Sequence, residues 1–328
     1  MEIVKYADKY RDMWEAFIEP PVSLNGTFLH SRRFLDYHPP GRFTDSSLLF
    51  FHKDQLAAVI PACLDYEEGQ TTFHSHKGST FGGIVVAKDA YRLNVAKEII
   101  DALAAYLADN GYRRAYLKNT PPTFAAAPTD LLDYLLFLQG YSDYKELCVY
   151  LDFAAYDTAN IEKNFNKLRK RKIKTARDNK LAFRELHDEE ISGFYELLTR
   201  NLMKFQTRPV HSLDELLDIK KERLHDIVTF FGCFAADKLL AAAMCFAFRR
   251  DCLHTQYLCL DYDYAGLGAM DFLDYNMITY AVENGFRRFS FGKCTEERGR
   301  VLNQSLAEFK ESFGGGYVNN ITYYKELP

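Results

Sequence analysis

The sequence predicts an α+β fold made of two copies of one unit, each a mixed, mostly antiparallel sheet flanked by helices. Its 328 residues exceed what a single hydrophobic core usually serves, so we expect two domains. Two pairs of similar segments occur in the same order in the two halves, which indicates an internal duplication. Apolar residues make up 48% of the chain and charged residues 26%, which is typical of a globular protein rather than a disordered one.

The repeated segments have recognisable local structure. Segments 51–59 and 234–243 each place an Asp-containing turn between two apolar runs, which predicts a β-hairpin in each half. Segments 104–114 and 278–288 each end a helix with Asn-Gly, a natural left-handed cap, and continue through an arginine pair into a strand.

The remaining elements follow from hydrophobic periodicity and turn signals. We expect strands at 2–6, 47–52, 56–65, 71–75, 82–86, 114–118, 144–153, 228–235, 239–248, 252–260, 287–292 and 317–325. We expect helices at 90–109, 129–139, 160–178, 188–204, 213–225 and 270–284. Ser212 and Glu215 form a capping-box pattern at the start of the 213–225 helix. A break in the pattern at 153–160 predicts domains at 1–155 and 156–328.

The chain carries no obvious targeting signal. An acid at position 2 and the lack of an apolar run behind it argue against a signal peptide. The most apolar stretch, 239–248, is too short to span a bilayer. The seven cysteines form no Cys-x-x-Cys pair and lie mostly in apolar runs, which suits buried thiols in a reducing compartment. We therefore expect a cytoplasmic protein.

Five segments together resemble the Fem-type peptidyltransferases (FemAB-like), which are tandem members of the GNAT acyltransferase superfamily, and their acetyltransferase-like relatives. The segments are FLHSRRFL at 28–35, LAAVIP at 56–61, LRKRKIKTAR at 168–177, NGFRRFSFG at 284–292 and EFKESFG at 308–314. The resemblance implies two tandem GNAT-like domains, the first structural or acceptor-binding and the second carrying out acyl transfer. It also implies an N-acyltransferase of cell-wall biogenesis that acts on an amine of a cell-envelope precursor or related metabolite.

The resemblance assigns a role to Lys310, which matches the lysine of the family's closing Phe-Lys motif and would lie at the acyl-transfer site with Phe309 beside the substrate. A buried ammonium there would stabilise the charge that develops during transfer. The donor would be an acyl-CoA or an aminoacyl-tRNA, and no permanently bound cofactor is expected.

A glycine-containing loop follows the strand predicted at 252–260 and leads directly into a helix. Tyr264, Gly266, Gly268 and Ala269 are the candidate cofactor contacts, because glycines let main-chain N–H groups approach an anion at a helix amino terminus. The resemblance places Asp263 where the GNAT phosphate loop normally has Gln or Arg. A carboxylate at that point would repel a pyrophosphate and speaks against acetyl-CoA.

The region from 163 to 180 carries nine basic residues and one acid. Helical spacing places Lys163, Lys167, Lys170, Lys174 and Arg177 on one face, and Ile161, Phe165, Leu168 and Ala176 on the opposite, docking face. Lys170, Lys174 and Arg177 are therefore candidates for binding phosphates of a nucleotide, a lipid-linked diphosphate or tRNA. The alternative is a solvated surface helix.

Other candidate site residues lie near the carboxy terminus and in one loop. Glu296 is our first candidate catalytic acid or base, with Asp261 and His254 as alternatives. Gly292 follows a strand at a point of close main-chain approach, and His211 is a candidate acceptor contact. With no nucleophile elbow, direct transfer is favoured over an acyl-enzyme. His74 and His76 have no third ligand nearby in sequence, so no metal site is expected.

Two other functions stay open at this point. The duplicated fold could be a non-catalytic binding module for a nucleotide-sugar or a nucleic acid. It could also be an inactive paralogue retained for protein contacts. The sequence does not fix the oligomeric state.

Overall fold

The computed structural model describes residues 1–204, 206–249 and 251–328. The chain divides into two compact units, unit 1 (Met1–Glu146 and Asn319–Pro328) and unit 2 (Leu147–Val318). The division falls at 146 rather than at the predicted 155, and the last ten residues belong to unit 1. The reason is that the final strand pairs with a strand of the first half over residues 322–326. None of the described helices combines the length and the apolar composition that a bilayer crossing requires.

Unit 1 is built from short strands and one long helix. Its elements are β1 (Glu2–Lys5), α1 (Arg11–Ile18), α2 (Arg32–Leu35), β2 (Thr44–Asp45), β3 (Leu48–His52), β4 (Gln55–Ile60), β5 (Cys63–Glu67), β6 (Gln70–His74), β7 (Val85–Val86), α3 (Leu93–Asp109), β8 (Arg114–Lys118) and α4 (Asp130–Leu138). Strands β1, β3, β4 and β7 form one antiparallel sheet. In the ladder β2-β5-β6-β8, only β6 and β8 are parallel.

Unit 2 contains the longer strands. Its elements are β9 (Ser142–Asp152, shared with unit 1), α5 (Lys167–Asp178), β10 (Ala182–Glu185), α6 (Ile191–Met203), α7 (Leu213–Asp218), β11 (Val228–Ala235), β12 (Lys238–Phe248), β13 (Cys252–Leu260), α8 (Ala269–Glu283), β14 (Arg288–Lys293), β15 (Thr295–Glu296), β16 (Val301–Leu302), α9 (Gln304–Glu311) and β17 (Gly316–Glu326, shared with unit 1). The strand order is β10-β11-β12-β13-β14-β9, and β13 and β14 are the parallel pair. Helix α8 packs on this sheet over a core rich in Phe, Ala and Leu.

The two units repeat one arrangement, which confirms the predicted duplication. In each unit a long helix lies in the connection between two parallel strands, α3 between β6 and β8 and α8 between β13 and β14. Each helix ends at Asn-Gly with the glycine in the left-handed region, at φ +71° for Gly111 and +76° for Gly285. This is the cap that the sequence predicts.

The structure differs from the predicted elements in a few places. The strand expected at 56–65 is two strands, because Pro61 interrupts it. The helix expected from 160 begins at Lys167, where Asn166 caps it by accepting from the Arg169 amide. The capped helix after Ser212 is α-helical to Asp218 and continues as a π-helix over Ile219–Arg223. Helices α1, α2 and α9 and the short strands β2, β10, β15 and β16 were not predicted.

Candidate functional site

The parallel strands β13 and β14 separate part-way along their length. Their ladder consists of three residue pairs and ends at His254 opposite Ser290. Strand β13 nevertheless runs on to Leu260 and β14 to Lys293, with no further pairing between them among the described residues. An opening between two parallel strands is a place where the main chain of both is accessible to other groups.

The residues at this branching point are hydrogen-bonded to one another. The Nδ1 atom of His254 lies 3.1 Å from the Ser290 hydroxyl oxygen, which also accepts from the Gly292 amide at 3.2 Å. The Thr255 hydroxyl donates to the Ser290 carbonyl oxygen at 3.3 Å. Gly292 has φ +70°, and a Cβ there would lie 3.1 Å from Cε1 of His254. A glycine is therefore required by both conformation and space, as the sequence suggested for Gly292.

Lys310 lies on α9 with its ammonium group buried at the end of β14. Only 4% of its surface is exposed, and Nζ donates to the carbonyl oxygens of Gly292 at 3.2 Å and Lys293 at 2.6 Å. Burial lowers the pKa of Lys310 to about 8, although Cys294, Cys148 and Asp274 act in the opposite direction. An ammonium has three N–H donors, so these two carbonyls leave one for another acceptor.

Behind Lys310 lies a carboxyl group that the sequence did not reveal as a site residue. Asp274 on α8 is fully buried, and neither of its oxygens has a hydrogen-bond partner among the described residues. Burial, reinforced by the charge of Asp271, raises its pKa well above the usual range, while Lys310 and Arg169 act against that rise. Two acids three residues apart, among apolar residues in the first turns of α8, were the available signal.

Arg169 of the basic helix is buried and forms an ion pair with Asp271 in the first turn of α8. Its guanidinium also lies over the ring of Phe309, with Cζ 4.7 Å from the ring centre. The predicted docking face was therefore partly wrong: Arg169 lies on the buried face with Ile173 and Ala176, whereas Leu168 is 40% exposed. Because the helix begins at Lys167, Arg169 lies one turn before Ile173 and two turns before Ala176, on the same face.

The basic residues of α5 other than Arg169 form two groups, those paired with a carboxylate and those without one nearby in the described structure. Lys174 pairs with Asp178 at 2.6 Å, and Arg177 pairs with Glu162 at 2.7 Å. Within the described ranges, no carboxylate lies within ion-pair distance of Lys167, Lys170, Arg171 or Lys172. Of the three predicted anion contacts, Lys170 alone lacks a neutralising neighbour in that part of the chain.

The glycine loop before α8 packs against the basic helix. Gly268 has φ +77°, and a Cβ there would lie 2.4 Å from the Lys172 carbonyl oxygen, so α5 and this loop are in close contact. Ala269 is fully buried, while Gly266 is exposed and has open space around it. The ring of Tyr264 is covered by the Lys238 ammonium at 3.8 Å. Gly268 and Ala269 are thus enclosed by protein, and their predicted contact with a cofactor stays a prediction.

The other predicted site residues have partners other than Lys310. Glu296 is exposed on β15 and accepts from the Asn303 side chain at 3.2 Å. His211 is buried, with Nδ1 2.7 Å from the hydroxyl oxygen of Tyr257 on β13. No described contact joins either residue to Lys310, so the structure brings together Lys310, Phe309 and Gly292 of the predicted set.

Comparisons with known proteins bear on this arrangement. Residues 162–310 match the acetyltransferase (GNAT) domain family. A crystal structure of FemX superimposes with a TM-score of 0.70 at 12% identity, over 100% of this chain and 98% of that one. A tandem GNAT protein from the clavulanic acid biosynthesis pathway gives 0.56 at 11% identity, over 100% and 99% of the two chains. The chain is a tandem GNAT-fold protein.

Another neighbour of this tandem GNAT-fold protein is the C-terminal domain of a putative lysylphosphatidylglycerol synthetase from Agrobacterium fabrum. Its TM-score is 0.61 at 13% identity, with 96% of this chain and 91% of that chain covered. No curated protein matches the sequence significantly. The predicted fold and the resemblance to Fem-type proteins are confirmed, and the family match over residues 162–310 is to an acetyltransferase domain.

Proposed function

We propose that this tandem GNAT-fold protein transfers an aminoacyl group from an aminoacyl-tRNA to an amine of a cell-envelope precursor. The observation that carries the proposal is the buried ammonium of Lys310, held on two main-chain carbonyls where β13 and β14 have separated. A cation fixed in a water-poor site is suited to stabilise an oxyanion, because charges interact more strongly where water is excluded.

The choice of donor rests on the amino terminus of α8. A phosphate would need free main-chain N–H groups there, but the Gly268 amide already donates to the Ala265 carbonyl oxygen and Ala269 is buried. The first turn also contains Asp271, whose negative charge already interacts with the helix end and with Arg169. These features disfavour a CoA pyrophosphate at this position.

The surface of α5 favours an RNA donor. Lys167, Lys170, Arg171 and Lys172 provide cations without neighbouring carboxylates in the described structure, and such cations attract a phosphate backbone. Two structural neighbours add a weaker argument. One is FemX, and the other is by its name a synthetase of lysylphosphatidylglycerol, an aminoacylated lipid. The acceptor class, a role in the cell envelope and a cytoplasmic location are part of the proposal.

A thermal-shift panel tests the donor. The full chain is mixed with aminoacyl-tRNA, uncharged tRNA, acetyl-CoA, a long-chain acyl-CoA or a UDP-linked muropeptide. A ligand that binds only the folded chain raises the melting temperature. We expect a rise with aminoacyl-tRNA and with the muropeptide. A rise with acetyl-CoA and none with tRNA would overturn the aminoacyl donor.

The second candidate function is the non-catalytic binding module. The same cations on α5 favour it, because they would serve simple nucleic-acid or nucleotide binding equally well. The buried ammonium of Lys310 favours transfer over simple binding, because binding alone gives no reason to remove an ammonium from water. No transfer by the wild type with any donor, together with binding that is kept in Lys310→Ala and lost in Lys167→Ala/Lys170→Ala, would favour the binding module.

A further inference from the structure

We propose that unit 1 has a binding site of its own for an organic diphosphate, with the phosphates held by Lys53, Lys88 and Arg92. This inference goes beyond the proposed function, which rests on Lys310 and α5 in unit 2. The site is a cavity of about 930 Å³ lined by residues of unit 1, a size typical of small-molecule sites. Its walls include the β3–β4 turn, the segment between β7 and α3, and the start of α3.

Three cations from separate segments line this cavity. Lys53 lies in the β3–β4 turn, Lys88 follows β7, and Arg92 directly precedes α3. In the described structure, no carboxylate lies within ion-pair distance of any of the three. Asp89 also lines the cavity and is exposed, so the net charge of these four residues is positive. Cations that converge without counter-ions create a positive potential, which attracts an anionic ligand.

The turn that carries Lys53 is strained. Lys53 and Asp54 connect β3 to β4 as a two-residue turn, with φ +49° and +64°. A turn of this type favours Asn-Gly, because a residue with a Cβ is strained in the left-handed region. The chain therefore keeps a lysine at the cavity where asparagine or glycine would be accommodated more easily, and strain of this kind is common at functional sites.

The corresponding place in unit 2 has a different charge. Ala236 occupies the position in the β11–β12 turn that Lys53 has in unit 1. The segment before α8 contains Asp261 and Asp263, and α5 packs against it. Because the two copies share one arrangement of strands and helix, the fold itself does not require the cations of unit 1. Their presence in one copy indicates a ligand of that copy.

The lining defines the class of ligand. Leu56, Ala57 and Val95 form an apolar wall in the same cavity, so a ligand with an organic group gains more there than a free ion does. The guanidinium of Arg92 suits bidentate binding of a phosphate, and the two lysines add point charges. A nucleoside diphosphate has both parts, two adjacent phosphates for the cations and a nucleoside for the apolar wall.

Isothermal titration calorimetry of the full chain tests the site with ADP, UDP, inorganic pyrophosphate and uridine. We expect a nucleoside diphosphate to bind, pyrophosphate to bind more weakly, and uridine to give no measurable heat. Lys53→Ala, Lys88→Ala and Arg92→Ala should each weaken binding about 10-fold, the lower end of what a hydrogen bond to a charged group contributes. Lys97→Ala is the control, because this exposed lysine of α3 lies outside the lining and should leave the affinity unchanged.

Asp89→Asn tests the sign of the electrostatic effect. Removing a carboxylate from the lining should strengthen nucleotide binding, whereas damage to the fold would weaken it. Circular dichroism checks that each variant is folded. The site would be overturned if neither nucleotide bound the wild type, if pyrophosphate bound as tightly as both, or if the Lys53→Ala/Lys88→Ala/Arg92→Ala variant kept the wild-type affinity.

The same titrations separate this site from the one in unit 2. Lys167→Ala/Lys170→Ala should leave the affinity for the nucleotide unchanged, and a loss in that variant would assign the nucleotide to α5 and contradict the inference. Nucleotide binding at unit 1 without transfer from any donor would remove the proposed function and leave this site standing. Transfer by a wild type that binds neither nucleotide would do the reverse.

Discussion

Arg169 and Asp271 form a buried ion pair that joins the basic helix α5 to the first turn of α8. The side chains are each about one-tenth exposed, and Phe309, the neighbour of Lys310, lies under the guanidinium. The pair therefore connects three elements of the site: the cationic surface of α5, the amino terminus of α8 and the helix that carries Lys310.

Arg169→Met should destabilise the chain strongly. The substitution leaves Asp271 buried without its partner, and breaking a buried ion pair from one side costs about 3–5 kcal/mol. Urea unfolding followed by circular dichroism measures the change. The double variant Arg169→Met/Asp271→Leu should recover most of the loss, because no charge then remains unpaired.

Lys170→Ala is the matched control, because Lys170 is the next residue on the same helix and has no ion-pair partner in the described structure. Its effect should stay within about 0.5 kcal/mol. Equal losses for Arg169→Met and Lys170→Ala would show that the ion pair contributes nothing.

Arg169 also illustrates how far sequence reasoning reaches. The hairpins, the duplicated Asn-Gly caps and the buried faces of most elements follow from local patterns, and the structure confirms them. An arginine inside a run of nine basic residues is expected at the surface, because charge is rarely buried. Only the partner Asp271, about one hundred residues away, makes its burial favourable.

The opening between β13 and β14 also could not be predicted from the sequence. It depends on which strands pair and where their ladder ends, and this is decided by contacts between distant segments. Lys310 and Gly292 could be selected from short motifs, whereas Asp274 and the His254–Ser290 contact appear only when the helix and the strands are assembled.

Gly268→Ala should destabilise the chain by about 2 kcal/mol or more. An alanine in the left-handed region costs about 1–2 kcal/mol, and the added Cβ would meet the Lys172 carbonyl oxygen. Thermal or urea unfolding measures the loss. Gly266→Ala, two residues away, meets no atom within 4 Å and should be close to neutral. A Gly268→Ala variant as stable as Gly266→Ala would contradict the close contact with α5.

Lys310 should make the stability of the chain depend on pH. Its pKa is about 8 in the folded state and 10.5 in a free lysine, so at pH 8 the unfolded chain binds protons that the folded chain does not. Because this difference in bound protons persists up to about pH 10.5, raising the pH from 8 to 10 should increase the free energy of unfolding by about 2 kcal/mol relative to Lys310→Met. Urea unfolding of both proteins across this range measures it. If the free energies of unfolding of the wild type and Lys310→Met differed by the same amount at every pH, Lys310 would titrate as an exposed lysine does.

The cations of α5 should differ in their contribution to tRNA binding. Lys167→Ala and Lys170→Ala should each weaken binding and lower the slope of log affinity against log salt by about one. Lys174→Ala should change both less, because Lys174 is already paired with Asp178. Filter binding at several salt concentrations measures the slopes. Identical slopes for all three variants and the wild type would show that the RNA does not bind at α5.

The most direct test of the central claim is transfer of a radiolabelled amino acid from aminoacyl-tRNA to a UDP-linked muropeptide by wild type and Lys310→Met. Lys97→Met, an exposed lysine of unit 1, is the control. We expect transfer by the wild type and by Lys97→Met, and a loss of 100-fold or more, about 2.7 kcal/mol in activation free energy, in Lys310→Met with tRNA affinity retained. Equal transfer rates in wild type and Lys310→Met would contradict the account.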